Sequence, residues 1–341
     1  MTVKRLSLVV VSLALCTGLP ALFAGCSGTG APSGDPGVAE LQTLVADQLS
    51  AAVLLRSWFS MLHVRQSVDG GAIDRLNATC SVEWDMLPEQ PGDPPGTFRA
   101  KGTTSDCLHW EAVQWPDGSG KQTYTKDGQR STMTWDAPRM QGPWQIVDID
   151  QTMWDGARLV YESGYNLEST NSDQYYKGRA TLADGREMHF EHYRNNDRDD
   201  LSLRLPDGSG LDIGVPLTTA TGAPYWPIFT QGANGTFRGP SGLEQTLRLS
   251  GVGAERWDRW ELHAPGGIEG RFTLNQDLSG SGDIRRGGKV VAALEWAAGG
   301  DGLLRPVGAT AVEATASAAA RAFQIDSWIG NIAAIGPMPY Y

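Results

Sequence analysis

Basic residues, histidine and cysteine are scarce in this chain. Its 341 residues include 28 lysines and arginines against 39 aspartates and glutamates, with five histidines and four cysteines. The formal net charge of −11 argues against nucleic acid as a partner, because phosphate backbones are bound by basic surfaces. The same balance argues against a protein patch for anionic lipid, so any membrane affinity must have another source.

Motifs of the common catalytic mechanisms are missing too. There is no G-x-S-x-G elbow, no P-loop and no dinucleotide-binding fingerprint. Five side chains are available as general bases, and none of them sits in a recognisable motif: His63, His109, His189, His192 and His263. We therefore assign no catalytic residue and no cofactor, and we expect a non-enzymatic role.

No apolar run reaches the roughly 20 residues that a membrane-spanning helix needs. The longest run near the start covers ten residues, Leu6–Leu15, and follows Lys4 and Arg5. Small residues then lead to Cys26. A basic start, a short apolar core and small residues are typical of an export signal that is cleaved off.

Residues 22–26 read LFAGC, which resembles the lipobox of bacterial lipoproteins. The resemblance implies cleavage before Cys26, diacylglycerol on its sulfur and an acyl chain such as palmitate on the new amino group. Phe23 departs from the usual pattern, which has Leu three places before the cysteine. An ordinary cleaved signal is the alternative. A lipoprotein would be extracytoplasmic and anchored by lipid in the cell membrane or outer membrane.

The chain divides into a signal peptide at 1–25, a tether at 26–37 that begins with the lipidated cysteine, and a body at 38–341. The tether is rich in Gly, Ser and Pro, which makes it flexible. Removal of residues 1–25 takes away two of the 28 basic residues and none of the 39 acidic ones, which leaves a formal net charge of −13.

Two cysteines remain in the body, Cys80 and Cys107. An even pair in an exported protein most simply forms one disulfide. A metal pair or two reactive thiols are the alternatives, and both favour shorter spacing.

The body alternates apolar and polar residues over many short stretches, which is typical of antiparallel strands with one solvated face. Leu201, Leu203 and Leu205 alternate with polar residues, as do Met188, Phe190 and His192. A third stretch predicts one buried face at Val290, Ala292, Leu294 and Trp296. We expect about fifteen strands between residues 96 and 314.

Turn signals separate these stretches. The pentapeptide PDGSG occurs at 116–120 and again at 206–210. Its proline sets φ, its aspartate bonds nearby backbone and its glycine takes a positive φ, which predicts a hairpin turn. Other Asp-Gly pairs stand at 127–128, 184–185 and 301–302.

The two ends of the body show helical spacing instead. Residues 38–65 carry apolar side chains at i, i+3 and i+4 positions, and Gly70-Gly71 ends that pattern. Residues 318–335 form the second predicted helix. The predicted fold is mainly β: an antiparallel meander, as an open barrel or a sandwich, with both helices packed on it. A boundary between two lobes is predicted near 216–242, which is rich in Gly, Pro and Thr.

Two clusters could hold a metal. Glu187, His189 and Glu191 share one strand face, and a histidine between two carboxylates can ligate a divalent cation. The turn at 195–200 carries closely spaced oxygen ligands, as calcium loops do, but lacks the glycine and glutamate of an EF-hand. A solvated strand face and an acidic hairpin turn are the simpler interpretations, and we assign no metal.

Tryptophan is abundant, with 12 residues. Several stand beside acids, as in Trp84-Asp85, Trp135-Asp136, Trp154-Asp155 and Trp260-Glu261. Tryptophan faces with nearby carboxylates can form a sugar-binding cleft. The same residues can instead fill a β core.

Three functional hypotheses remain open. The first is a lipid-anchored envelope protein with a binding or structural role towards another envelope protein. The second is a carrier of an apolar, lipid-like ligand under the helices, and the third is a glycan-binding or glycan-cleaving surface protein. A carrier requires an apolar cavity between the terminal helices and the sheet, whereas a glycan protein requires exposed tryptophan rings in one groove with acids about 5–10 Å apart.

Overall fold

The computed structural model describes residues 37–70, 83–103, 109–126, 128–153, 156–195, 197–216, 232–250, 258–275 and 279–323, without the side chains of 56–70, 126 and 215. The predicted signal peptide, Cys26 and almost all of the tether lie outside the described residues, as do Cys80 and Cys107. The lipid anchor and the disulfide therefore stay predictions.

The described chain forms two helices and twenty strands. The helices are α1 Val38–Gly70 and α2 Ala318–Ala322. The strands are β1 Glu83–Leu87, β2 Phe98–Thr103, β3 His109–Gln114, β4 Gly120–Lys126, β5 Gln129–Trp135, β6 Arg139–Gln141, β7 Trp144–Thr152, β8 Arg158–Asn166, β9 Gln174–Thr181, β10 Glu187–Arg194, β11 Arg198–Arg204, β12 Gly210–Pro216, β13 Ala233–Arg238, β14 Glu244–Ser250, β15 Arg259–Ala264, β16 Ile268–Leu274, β17 Gly280–Arg286, β18 Lys289–Trp296, β19 Asp301–Pro306 and β20 Val312–Thr315.

All twenty strands belong to one antiparallel sheet. Each strand pairs with the next along the chain, except that β5 and the short β6 both pair with β7. β12 pairs with β13, so the sheet continues across the span where we placed a lobe boundary. Among the described residues no pairing joins β1 to β20. The predicted meander is thus confirmed as a single open sheet, with more strands than the spacing indicated.

The two PDGSG segments form the same hairpin turn, as predicted. They connect β3 to β4 and β11 to β12, and their glycines Gly118 and Gly208 have φ of 85° and 84°. In each turn the aspartate Oδ1 accepts a hydrogen bond from the serine backbone N–H at 3.0 Å. One predicted turn is wrong, because Asp301 begins β19 and the positive φ lies at Gly300 instead.

Alternation also identifies which side chains point into the core. We call the side of the sheet that carries the hydrophobic core the inner face, and the solvated side the outer face. Leu201, Leu203 and Leu205 are buried on the inner face, as are Met188 and Phe190.

β18 departs from this alternation. A β-bulge opposite Ile284 and Arg285 shifts its register. Val290 is consequently 41 % exposed while Val291 is buried, the reverse of our prediction. The extra residue of a bulge moves every side chain before it to the opposite face of the sheet. The position of the bulge depends on the partner strand.

Helix α1 is enclosed much more completely than an amphipathic stripe predicts. It contacts β13, β19, β20 and α2, which requires the sheet to curve, because β13 and β19 are separated by five strands. Every residue from 47 to 55 is buried, including Asp47, Gln48 and Ser50. The window Val38–Leu55 is apolar enough to cross a membrane by composition, but 67 % of it is buried in the fold, as in a core helix.

Polar contacts hold α1 in this position. Asp47 Oδ2 accepts a hydrogen bond from Ser241 Oγ at 2.8 Å. Asp47 also packs closely on Gly239, where a Cβ would lie 1.9 Å from Asp47 Cγ. Near α2, Ser50 Oγ accepts a hydrogen bond from the backbone N–H of Ser317 at 2.7 Å. Ser317 in turn caps α2, because its Oγ accepts from the Ala320 backbone N–H.

Asp47 makes the stability of this contact depend on pH. Burial raises the pKa of Asp47 above its usual value, against the opposing effect of the Ser241 hydrogen bond. A folded-state pKa above the unfolded one means that folding favours the protonated acid, so stability is lost as pH rises from about 4 through the raised pKa. We expect Asp47→Asn, which can still accept from Ser241, to raise the Tm at pH 8. The difference from the unsubstituted protein should vanish near pH 4.

Thermal unfolding between pH 4 and pH 8 measures this effect. Glu40→Gln is the matched control, because Glu40 lies on the same helix but is exposed. We expect this control to leave the Tm nearly unchanged at every pH. A lower Tm for Asp47→Asn at pH 8 would show that the buried charge stabilises the helix contact.

Candidate ligand-binding groove

A shallow groove runs across the outer face of β10 to β14. Five side chains on five successive strands stand side by side in the register of the sheet: Glu191, Ser202, Asp212, Thr236 and Thr246. A second row beside it contains Tyr193, Asp200, Gly214 and Asn234. The groove has a volume of about 610 Å³ and is open to solvent.

Small residues create this depression. Gly214 adds no side chain to the second row, and a Cβ there would lie 2.7 Å from Asp200 Oδ1. Ser202, Thr236 and Thr246 are short, and backbone and aliphatic carbons make most of the lining apolar. Because the longest lining side chains, Glu191 and Tyr193, both stand on β10, a ligand can approach the sheet closely along the other strands of the groove.

The carboxylates of the groove already have cationic partners. Asp212 accepts hydrogen bonds from Ser202 Oγ at 2.6 Å and from Arg204 at 2.8 Å. Asp200 lies 3.0 Å from Arg198 Nε. Desolvation raises the pKa of Asp200 above its usual value, while Arg198 opposes that shift. The third carboxylate, Glu191, lies 3.9 Å from Lys177 Nζ. With these carboxylates paired, the lining does not present a concentrated negative charge.

Three other polar side chains of the groove are not used in hydrogen bonds or ion pairs of this kind. Within the described part of the chain, Asn234, Thr236 and Thr246 form no side-chain hydrogen bond to another residue. An amide and two hydroxyls supply both donors and acceptors. These groups are therefore available to a ligand that carries hydroxyl or amide groups.

Tyr193 forms a rigid end of the groove. Its hydroxyl donates to Asp173 Oδ1 at 2.6 Å, and Asn195 Nδ2 donates to the same oxygen at 3.0 Å. The Arg198 guanidinium stacks over the Tyr193 ring at 4.6 Å from its centroid. Burial and the Asp173 hydrogen bond raise the pKa of the Tyr193 hydroxyl, so it stays protonated.

Of the predicted oxygen-rich turn at 195–200, the structure describes every residue except 196. Asn195 Oδ1 accepts from the backbone N–H groups of Asp197 and Arg198, at 2.8 and 2.9 Å. Asp197 Oδ2 accepts from Asn171 Nδ2 at 2.7 Å, and Asp199 lies 2.7 Å from His192 Nε2, so these oxygen atoms already have partners. In the described ranges no group of three His, Cys, Asp or Glu side chains is arranged to hold a metal ion.

Glu187, His189 and Glu191 share the outer face, as alternation predicts. Their neighbours across the strands are basic: Arg179 and Arg204 flank His189, and Lys177 is opposite Glu191. Glu187 lies 3.6 Å from Arg179. A divalent cation at this row would face positive charges on both sides, which disfavours metal binding.

A buried ionisable pair that the sequence pattern did not predict lies behind the groove. His192 Nε2 lies 2.7 Å from Asp199 Oδ1, and the two side chains are 5 % and 0 % exposed. Arg194 Nε lies 3.8 Å from the other oxygen of Asp199, and the Tyr176 ring stacks on His192 at 5.9 Å. The pair points to the inner face, so it supports the strands of the groove without lining it.

The predicted tryptophan–acid pairs do not come together here. Trp135 and Trp260 are buried in the core, while Trp84 is 63 % exposed on β1. Trp154 and Trp257 lie outside the described residues. No tryptophan is among the described residues that line the groove.

Comparison with known proteins finds no match. No protein family, no curated protein and no solved structure is detectably similar to the chain. Function is therefore inferred from the residues of the groove and from the N-terminal sequence. Chemically, the groove offers an apolar floor, neutralised carboxylates and free hydroxyl and amide groups, which suits a polar ligand without net charge.

Proposed function

We propose that this chain is a lipid-anchored, extracytoplasmic protein of the cell envelope that binds a neutral glycan in the outer-face groove. The role is non-enzymatic binding. The observation that carries the proposal is the groove itself, in which uncommitted Asn234, Thr236 and Thr246 stand beside carboxylates that already have partners.

The anchor rests on the N-terminal sequence. A basic start, a ten-residue apolar core and the lipobox-like LFAGC precede a flexible tether. Because the mature chain has a net charge of −13, its surface is not attracted to anionic lipid. Acylation at Cys26 would supply the membrane affinity instead. A tether would then leave the sheet free to contact polymers near the membrane.

The chemistry of the groove supports a sugar polymer as the ligand. Sugar rings present apolar faces together with hydroxyl groups, and the groove pairs an apolar floor with hydrogen-bonding side chains. An open groove accommodates a chain molecule better than an isolated small one. Asp200, Asp212 and Glu191 each have a cationic neighbour, at 3.0, 2.8 and 3.9 Å, so the lining carries little uncompensated charge to select an anion or a cation.

Isothermal titration calorimetry with the full mature chain in detergent tests this proposal. The ligands are three neutral hexasaccharides: cellohexaose, maltohexaose and the hexamer of N-acetylglucosamine. We expect at least one to bind with a Kd of about 0.1–1 mM, which corresponds to about −4 to −5.5 kcal/mol. Asn234→Ala combined with Thr246→Ala should weaken binding about tenfold, because two hydrogen-bonding groups are lost.

Thr125→Ala is the matched control, since Thr125 is exposed on the outer face of β4, away from the groove. This variant should bind as the unsubstituted protein does. Failure of all three hexasaccharides to bind, or equal weakening by the control, would refute a neutral-glycan groove.

A further inference from the structure

Strand β1 forms one edge of the sheet in the part of the chain that the structure describes. Among the described strands it pairs only with β2, so its second backbone edge has no strand partner there. Glu83, Trp84, Asp85 and Met86 are all exposed. Free N–H and C=O groups on an edge strand can pair with another extended chain.

The inner face of β1 carries apolar side chains that continue the core. Met86 is opposite Ala100, which is buried and itself opposite the buried Ala112. Trp84 is opposite Gly102 on the same face. Yet Trp84 is 63 % and Met86 65 % exposed. The apolar face of the sheet therefore continues to its edge, where these two side chains are exposed.

A row of charges crosses the outer face at the same edge. Asp85 is opposite Lys101, and Lys101 is opposite Glu111. The sign alternates from strand to strand and stops at Asp85, with Glu83 beside it on the same face. Because opposite charges on neighbouring strands attract, a further strand that continued the row would carry basic residues there.

We propose that the edge of β1 binds an extended segment of a partner protein as an additional strand. That segment alternates basic residues, which face Glu83 and Asp85, with apolar residues, which pack against Trp84 and Met86. Main-chain hydrogen bonds supply affinity and the alternate side chains supply specificity, as in other cases of strand addition. This site is separate from the groove and does not depend on it.

The charges also argue against a second copy of this chain as the occupant. Pairing β1 with β1 of another copy would place the acidic residues of the two strands against each other. The opposite edge of the sheet, β20, carries the exposed Glu313 on its own outer-face row and offers no basic partner. A basic, amphipathic strand from a different protein fits the edge better.

The probe is a fluorescently labelled seven-residue peptide of alternating lysine and valine, titrated with the full mature chain in detergent. Fluorescence anisotropy gives the Kd, and hydrogen exchange shows which amides become protected. We expect protection at residues 83–87. A peptide of the same composition with its lysines and valines in separate blocks should bind at least tenfold more weakly, because it cannot present two distinct faces.

The variant is Glu83→Lys with Asp85→Lys, and its control is Glu313→Lys on the opposite edge. The double substitution should weaken lysine–valine binding at least tenfold and create binding of a glutamate–valine peptide, whereas the control should do neither. If the block peptide bound as tightly as the alternating peptide, peptide binding would be explained by attraction between the lysines and the acidic surface. That result would overturn the proposal. A dimer that the double substitution dissociates would overturn it in favour of a second copy.

Discussion

Asp199→Ala is expected to lower the free energy of unfolding by about 3–5 kcal/mol, because it removes one member of a buried charged cluster. The carboxylate of Asp199 is fully buried, with His192 at 2.7 Å and Arg194 at 3.8 Å. Without it, a guanidinium and an imidazole lose a compensating charge in the interior. Such a loss is a large part of the 5–15 kcal/mol that stabilises most domains.

Urea denaturation followed by circular dichroism measures this loss. Asp200→Ala is a closely matched control, because Asp200 is the next residue but faces the outer side, where it pairs with Arg198 in contact with solvent. Exposed ion pairs contribute about 0–1 kcal/mol, so this control should change stability little. A loss of less than 1 kcal/mol for Asp199→Ala would mean that the pair contributes no more than a surface pair.

The cluster also predicts how a paired replacement behaves. Substituting both His192 and Asp199 with leucine removes the two paired side chains together and fills their space with apolar atoms. We expect the double variant to be more stable than Asp199→Ala, since buried ion pairs are often replaceable by apolar residues. The same denaturation experiment compares the two variants.

Cys26→Ser is expected to move the protein from the membrane fraction to the soluble fraction of the cell envelope. The serine cannot form the thioether that the lipobox-like sequence implies, so the acyl chains that we propose as the anchor would not be attached. Two chains give stable anchoring whereas one gives marginal binding, and the acidic surface adds no attraction to anionic lipid.

Cell fractionation with immunoblotting gives the location, and mass spectrometry of the N-terminal peptide gives its acyl mass. Cys16→Ser is the control, because Cys16 precedes the predicted cleavage site and should not affect either readout. Normal maturation and membrane retention of Cys26→Ser would show that the signal is not a lipobox. This result would refute the proposed lipid anchor. It would not bear on glycan binding at the groove, which calorimetry tests separately.

The groove was only partly predictable from the sequence. Alternation correctly places Glu191 and Ser202 on the outer face, since Phe190 and Leu201 beside them are apolar. It does not tell which residues of different strands become neighbours. Glu191, Ser202 and Asp212 form one row because of the lengths of two hairpin turns, and Thr236 joins them only through the pairing of β12 with β13.

The amino-acid sequence alone was sufficient for the local features: alternating strands, two identical PDGSG turns and a first helix that ends at Gly70. Each depends on neighbouring residues, through the two-residue period of a strand or the conformational freedom of glycine. Three features depended on tertiary structure: the enclosure of α1, the bulge that buries Val291 and the meeting of His192 with Asp199. They arise from sheet curvature and strand register, which are set by contacts between residues distant in the chain.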